Sequence, residues 1–291
     1  MQRSNVSTAR LAAKAWLIAI LALLGSIVPA QAEPAVEASA TVIPNRFMTW
    51  NTNGQDLGST EMLVEQVRRF RPQVVAFQES CLNEVQEAVE ELKELGLEYG
   101  YRVGLHAWLP GFGCNAQRVG TAVIYAKGTL VKGHNRKGYS VDEGWREARG
   151  IQSFHTKIDG QWVRVFNTHL SSPWPEYEEM REQQVDELVA ATRPHSRALV
   201  LGDLNTRPWR TQVTGPIWQA GFRDVDQFCG ETKSDRCNRT VGTKGDAKFD
   251  YILHRRVNSL HCRIHTVNTD HRLVISDVTL AQGPQRPCTV T

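Results

Sequence analysis

Residues 198–208 contain two side chains whose types and spacing suit acid–base chemistry. Four apolar residues and a glycine lead to Asp203 and Asn205, and a short apolar run bounded by turn residues predicts a buried strand. In an extended backbone, residues two apart direct their side chains to the same side. A carboxylate can take a proton from water, and a carboxamide can hold an oxygen through its NH₂ group. The alternative is a strand end followed by an Asx turn.

Five other segments have apolar patterns that predict strands, and each carries a polar side chain at its start, within it or at its end. One such event carries little information, but its repetition along one chain indicates a site. A buried carboxylate needs a partner, often a histidine or a backbone donor. An adjacent Asp-His pair can supply a metal ligand or orienting group together with an imidazole. These residues are Asn51, Glu79, His169, Asp250, and the pair Asp270 and His271.

Taken in order, these segments resemble the motifs of the endonuclease/exonuclease/phosphatase superfamily. It includes deoxyribonuclease-I-like nucleases, abasic-site endonucleases, neutral sphingomyelinases and inositol polyphosphate phosphatases. Each segment alone is a weak match, but six in the family order, spanning residues 50–274, are a strong one. They are Trp50-Asn51, Gln78-Glu79, Thr168-His169-Leu170, Gly202-Asp203-Leu204-Asn205, Asp250-Tyr251-Ile252 and Asp270-His271.

The resemblance implies an α/β fold, a four-layer sandwich of two mixed β-sheets packed face to face with helices on the outside. The alternating strand and helix patterns agree with this architecture. Apolar spacing predicts helices over about residues 60–70, 83–95 and 176–192 and a shorter one over 215–220. A hairpin is expected around Asp159-Gly160, and residues 132–139 are expected to form a basic loop.

The resemblance also implies a metal site. Glu79 looks like the main Mg²⁺ ligand, helped by Asn51 and Asp270. Oxygen ligands of this kind fit Mg²⁺, with Mn²⁺ as the alternative, and do not fit zinc. Asp270 is further expected to orient His271.

Catalytic roles follow from the same resemblance. Asp203 and Asn205 look like the pair that orients and activates the attacking water. His169 and His271 look like phosphate-facing donors or acid–base partners, and Asp250 is similar to the buried acid of the family. A phosphodiester gains negative charge at its leaving oxygen, so a metal and imidazolium donors would stabilise that charge.

Several residues are candidates for contacts with the substrate. Family members often carry an arginine that reaches the phosphate, for which Arg149 is the first candidate and Arg146 the second. Arg207, Trp209 and Arg210 follow the 202–205 motif directly. A cationic and aromatic loop suits nucleic acid, in which phosphates pair with arginine and bases stack on rings. The alternative is that these aromatic rings pack against the rim.

We therefore expect a secreted, monomeric phosphodiesterase, with an endo- or exonuclease favoured. The alternatives are a sphingomyelinase-like or inositol-phosphate hydrolase and a catalytically silent binding module of the same fold. The inositol phosphatase signature is absent around Asp250, and no long apolar insertion suits a membrane-active sphingomyelinase.

The N-terminus predicts export. Three basic residues precede the apolar run 15–30, and Ala30-Gln31-Ala32 fits a cleavage site, so residues 1–32 are expected to be a signal peptide. An uncleaved anchor is the alternative, whereas cleavage would leave no membrane span. Residues 33–44 then form a flexible lead-in to a catalytic domain over 45–291. Removing three of the 34 Lys and Arg leaves 31 against 31 Asp and Glu, so any attraction for nucleic acid must be local.

Six cysteines remain in the mature chain, an even number that indicates disulfides in an exported protein, whether extracellular or periplasmic. Proximity favours Cys229–Cys237, and Cys81–Cys114 and Cys262–Cys288 are the pairs we expect for the rest. The alternative is buried free thiols.

Overall fold

Strands and helices alternate along the chain in an order that produces two mixed sheets. The structure is a computed structural model that describes residues 41–54, 59–108, 114, 118–144, 148–242 and 247–291. The strands are β1 (Ile43–Asn51), β2 (Pro72–Cys81), β3 (Tyr99–Trp108), β4 (Arg118–Ala126), β5 (Lys132–Gly138), β6 (Gly150–Ile158), β7 (Gln161–His169), β8 (Ala198–Asp203), β9 (Arg223–Asp224), β10 (Asp250–Arg255), β11 (Asn258–His265), β12 (Leu273–Thr279) and β13 (Thr289–Val290). The helices are α1 (Thr60–Phe70), α2 (Leu82–Glu94), α3 (Glu178–Thr192) and α4 (Thr211–Gln219).

The two sheets have seven and six strands. The first runs β13-β11-β12-β1-β2-β4-β3, and the second runs β5-β6-β7-β8-β10-β9. Each contains a parallel pair near its centre, β1 with β2 and β7 with β8, and the short β13 also runs parallel to β11 at the edge of the first sheet. The two central parallel pairs need crossovers, which α1 and α3 provide.

Three layers of apolar side chains separate four layers of secondary structure. The inner faces of the sheets meet through residues such as Phe47, Phe154 and Ile252. A second cluster packs α1 and α2 on the first sheet, and a third packs α3 and α4 on the second. The predicted four-layer sandwich is confirmed.

Strand register brings the functional segments to one edge. The parallel pairing sets Asn51 beside Gln78 in the first sheet and His169 beside Asp203 in the second. Asp250, at the start of an antiparallel strand, also pairs with Asp203. Because the carboxyl ends of parallel strands share an edge, polar groups after four different strands converge there.

One local prediction is wrong, and one helix starts earlier than expected. The expected basic loop at residues 132–139 is strand β5, whose largely exposed side chains show no apolar alternation because it lies at a sheet edge. The helix expected at residues 215–220 is present as α4, but it already begins at Thr211, and Pro216 lies inside it without ending it. By contrast, α1 begins after Ser59, whose side chain accepts from the Met62 backbone N–H, and ends at Phe70.

All three expected disulfides are present: Cys81–Cys114, Cys229–Cys237 and Cys262–Cys288. Within the described ranges, no helix combines the length and apolar character needed to cross a membrane. The predicted signal peptide and most of the lead-in lie outside the described residues.

Candidate active site

Glu79 is turned into the cleft by its backbone. It has a φ of 49°, a left-handed conformation that is uncommon for a residue other than glycine and clusters at functional sites. Asn51 Nδ2 lies 3.2 Å from Glu79 Oε1 and 3.0 Å from Asp203 Oδ2, so one carboxamide donor joins two carboxylates from different sheets. The Glu79 side chain remains 23% exposed, which leaves it accessible from the cleft.

Asp203 and Asn205 do form an Asx turn, and that turn belongs to the site. The Asn205 backbone N–H donates to Asp203 Oδ1 at 2.7 Å. The strand ends at Asp203 and Asn205 has a φ of 48°, so strand alternation does not set the direction of its side chain. The turn fixes the Asp203 carboxylate through one oxygen, while the other accepts from Asn51.

His169 is fully buried and is approached by Arg149 from behind. Arg149 Nη1 lies 2.5 Å from His169 Nδ1. A guanidinium can only donate, so Nδ1 accepts and the neutral ring carries its proton on Nε2. That nitrogen lies 3.5 Å from Asp203 Oδ2. Burial, and then the charge of Arg149, lower the pKa of His169 to about 3.

Arg149 therefore does not occupy the place expected of a phosphate ligand. Its side chain is buried, it contacts the imidazole, and its Nη2 lies 3.5 Å from the buried Glu143 Oε1. Glu143 in turn accepts from the backbone N–H and hydroxyl of Ser172. The second candidate, Arg146, lies outside the described residues.

His271 has the opposite environment. Its Nδ1 lies 3.0 Å from both oxygens of Asp250, and its Nε2 lies 3.8 Å from Asp203 Oδ2. Burial disfavours the imidazolium, but Asp250 and Asp203 outweigh it and raise the pKa of His271 to about 10. The predicted orienting role of Asp270 is wrong, because Asp250 holds the ring.

Asp270 instead accepts from Asn53 Nδ2 at 3.2 Å and lines the same cleft as Glu79. The cleft has a volume of about 390 Å³ and is also lined by Asp203 and His271. Asn53 was missed as a site residue, although it lies in the turn-like run 51–54 that follows β1.

The acidic groups of the cleft fit a hard divalent cation. Glu79, Asp203 and Asp270 face Arg207 and His271 there, so carboxylates outnumber cationic side chains among the described lining residues. Asp203, Asp250 and His271 also bring ligand atoms within 4.8 Å of one another, but Asp250 already engages His271 Nδ1. The oxygen donors of Glu79, Asn51 and Asp270 are therefore the better candidates.

The predicted substrate loop lies beside the cleft. Arg207 lines both the cleft and a larger neighbouring cavity, whereas Trp209 and Arg210 line only the larger one. Arg210 Nη2 lies 2.8 and 2.5 Å from the two carboxylate oxygens of Glu178, so its charge is already paired.

Two mixed sheets with a carboxylate- and imidazole-lined cleft at one edge define a hydrolase-like α/β sandwich. The sequence matches the family model described as Endonuclease/Exonuclease/phosphatase family over residues 48–276, and the chain belongs to this family. No curated protein gives a significant sequence match.

Solved structures share the fold at low identity. The structure of D. rerio TDP2 complexed with single-strand DNA product has 16% identity and a TM-score of 0.63, and the match covers 80% of this chain and 98% of that one. The human Nocturnin catalytic domain with bound sulfate has 18% identity and a TM-score of 0.59, covering 81% and 94%. A family protein from Leptotrichia buccalis has 18% identity and a TM-score of 0.63, covering 80% and 98%.

Proposed function

We propose that this protein is an exported, Mg²⁺-dependent phosphodiesterase that hydrolyses nucleic acid. The observation that carries the proposal is the pairing of a fixed carboxylate, Asp203, with the imidazole of His271 at a distance of 3.8 Å. Family membership supports phosphoric ester hydrolysis as the reaction class. The cleft then needs a base for water, donors for the phosphate oxygens and a cation site.

Asp203 is the proposed base. Burial, and then the neighbouring Asp250, raise the pKa of Asp203, which makes its carboxylate a stronger proton acceptor than an exposed aspartate. Asn51 and the Asn205 backbone N–H hold its two oxygens in one orientation. A water on the cleft side of Asp203 would thus meet a fixed acceptor.

The donors around Asp203 suit a phosphate. His271, protonated because of Asp250, presents Nε2–H as a charged donor, whereas neutral His169 presents Nε2–H as an uncharged one. Asn205 Nδ2 donates to the Leu170 carbonyl at 3.1 Å, and this hydrogen bond positions its amide beside the cleft. We assign His271 the transfer of a proton to the leaving oxygen.

Mg²⁺ is proposed to be held by Glu79 and Asn51, with Asp270 nearby. The fit rests on the donor chemistry and on the excess of carboxylates in the cleft. When bound, this ion would neutralise phosphate charge and stabilise the charge that develops in the transition state.

Nucleic acid is favoured over a lipid by the surroundings of the cleft. Arg207 and Trp209 line the adjoining cavity, and Trp174, which is 54% exposed, lines the cleft itself. Exposed rings beside a cationic surface suit stacked bases. The structural similarity to a TDP2 complexed with single-strand DNA product agrees with this substrate class.

Export is supported by the predicted leader together with three disulfides, which persist in oxidising compartments. A monomer is proposed because the site is assembled from one chain.

A substrate panel tests the proposal. Plasmid DNA, RNA, a single-stranded oligonucleotide, sphingomyelin and inositol phosphates are each incubated with Mg²⁺ and, in parallel, with chelator. We expect turnover of nucleic acid that is lost with chelator. A preference for sphingomyelin or an inositol phosphate would overturn the nuclease assignment. Failure of the folded protein to hydrolyse even bis(p-nitrophenyl) phosphate would instead favour the silent binding module.

A further inference from the structure

A second, larger cavity adjoins the cleft. It has a volume of about 1040 Å³ and shares four described lining residues with the cleft: Pro173, Asn205, Arg207 and Phe249. Ligand pockets typically measure roughly 300–1,000 Å³, so this space exceeds the need of a single phosphate group. A substrate held in the cleft could therefore continue into it. We call this cavity the cationic chamber.

The chamber is lined mainly by positive charge in a chain whose mature part is near neutral. Among the described lining residues, six cationic side chains stand against two acidic ones, Glu178 and Asp235. Glu178 is already paired with Arg210, and Lys248 Nζ lies 3.2 Å from Asp224 behind the lining. The cationic residues are Arg181, Arg207, Arg210, Lys233, Arg239 and Lys248.

Arg181 is the least expected of these charges. It is 3% exposed, and its described hydrogen bonds go from Nη1 to the backbone carbonyls of Ser172 and Trp174. Its buried Nε has no hydrogen-bond partner within the described ranges. A buried charge ordinarily has a charged partner. The two carbonyls orient Arg181, and the carboxylates of Glu178 and Glu143 act on its charge. The structure thus keeps a positive charge at the chamber lining.

A disulfide fixes the opposite side. Cys229–Cys237 closes the loop that carries Lys233, and Arg239 follows it. Asp226 Oδ2 accepts from both the backbone N–H and the side-chain amide of Asn238, which anchors the chain just before Arg239. This loop therefore holds two exposed cations at the chamber instead of leaving them on a mobile segment.

Aromatic surfaces complete the chamber. Trp209 and Phe249 both line it and both are only partly buried. A base can stack on such a ring only when it is not enclosed in a duplex. The combination of cations and accessible rings matches the alternating phosphates and bases of a single strand.

We propose that the cationic chamber binds the nucleotide next to the scissile phosphate of a single-stranded polynucleotide. Arg181, Lys233 and Arg239 attract its phosphate, and Trp209 or Phe249 stacks its base. The proposal rests on the proposed function and adds a required substrate feature, which is a second phosphate beside the one that is cleaved. Substrates with one isolated phosphodiester would leave the chamber empty.

Equilibrium binding tests the chamber without turnover. Anisotropy of a dye-labelled short oligothymidylate is measured in EDTA for the wild type and for Lys233→Ala with Arg239→Ala. Binding should weaken about tenfold in the double variant, as expected for lost charge-assisted contacts. The slope of log K against log salt should fall by about 0.7, since the neutralisation of one phosphate of a single strand contributes about 0.7.

Arg236→Ala is the matched control. It removes a positive charge from the same disulfide-closed loop, but the Arg236 guanidinium lies 3.5 Å from the centroid of the Phe228 ring and does not line the chamber. We expect wild-type binding for this variant. Equal weakening of binding in the control and in the double variant would show that only the overall charge matters, which would overturn the proposal. Unchanged binding in the double variant would overturn it too.

A neutral methylphosphonate locates the contact. It replaces the phosphate on one or the other side of the cleavage position. On the side that occupies the chamber, the methylphosphonate should weaken oligonucleotide binding by the wild type and leave binding by the double variant unchanged. Equal weakening of both proteins on both sides would contradict the assignment. Failure of the wild type to hydrolyse bis(p-nitrophenyl) phosphate would count against the proposed function alone, because the anisotropy measurement still decides the chamber.

Discussion

His271 Nδ1 lies 3.0 Å from both carboxylate oxygens of Asp250. This contact joins the last motif of the chain to a strand of the other sheet, because Asp250 begins β10 and His271 precedes β12. It gives the site one imidazolium, while burial, together with the charge of Arg149, keeps the second imidazole, His169, neutral. The two histidines are thus assigned different chemical roles by their partners.

Replacing Asp250 should lower the pKa of His271 toward the usual value for a histidine. Its pKa is about 10 in the wild type, and Asp250→Asn removes the largest charge that raises it. The pKa should then fall toward or below the usual value of about 6.5, since burial remains. Histidine ring NMR across pH measures this directly. A wild-type His271 that titrates near 6.5 would contradict the assigned imidazolium.

The free energy of unfolding should depend on pH through the titration of His271. A pKa raised in the folded state stabilises the fold fully below the unfolded value of about 6.5, and this contribution is lost as pH rises through about 10. Asp250→Asn should therefore flatten the decline in unfolding free energy across that window. Urea unfolding at several pH values provides the measurement, and an equally steep decline in the variant would exclude His271 as its source.

Arg149 should lower the pKa of His169 further than burial alone does. Burial and Arg149 lower the pKa of this imidazole to about 3, so its stabilising contribution is present above about 6.5 and is lost as pH falls through about 3. Arg149→Gln should raise the pKa, although burial keeps it below 6.5. Arg149→Lys, which retains the charge, is the control. The assignment fails if the glutamine and lysine variants give the same His169 titration by NMR.

Gly202 should be required where β8 runs beside β7. Its φ is 147°, and an added Cβ would lie 1.9 Å from the Thr168 carbonyl oxygen. Gly202→Ala should cost about 3 kcal/mol or more through strain and backbone displacement. Gly230→Ala is the control, because no atom lies within 4 Å of its added Cβ and its φ is outside the left-handed region. That change should be neutral or stabilise by up to about 1 kcal/mol, and urea unfolding compares the two.

The fold could be predicted from the sequence because each layer has its own apolar pattern. The buried strand at 198–203 and the capped helix at 60–70 both follow from local spacing. Strand β5 could not be predicted, since an exposed edge strand has no alternation to detect. Strand β11 was also missed, because its outward residues interrupt the apolar run.

The site was predicted in composition but not in all of its contacts. Asp203 ends one strand that the sequence identifies, Asn205 follows it, and Asp250 begins another, so their convergence could be expected. The link between Arg149 and His169 depends on β6 pairing with β7, which sets Gly150 opposite His169. Glu143 carries no local pattern, since its contact with Ser172 joins two separate loops. Arg181 lies on α3, and helical spacing does not reveal that its guanidinium turns back to the carbonyls of Ser172 and Trp174.

The oxidised cysteines should stabilise the fold. Cys81–Cys114 closes a loop of 33 residues and follows Glu79 by two positions. Its removal by Cys81→Ser with Cys114→Ser should cost about 3–4 kcal/mol on the loop-entropy estimate. Intact mass and thiol titration of the secreted protein should show a chain beginning near Glu33 without free thiols. Six reactive thiols under denaturing, non-reducing conditions would contradict the disulfide assignment.

Mg²⁺-dependent hydrolysis of bis(p-nitrophenyl) phosphate by the wild type and by Glu79→Gln is the most direct test of a phosphodiesterase site built around this carboxylate. The wild type should hydrolyse the diester and lose activity with chelator. Glu79→Gln should lower kcat/KM at least about 100-fold, as for removal of one group that stabilises transition-state charge, and weaken Mg²⁺ binding measured by calorimetry. Its circular dichroism spectrum should be unchanged. Equal activity and equal Mg²⁺ affinity in the two proteins would contradict the assignment.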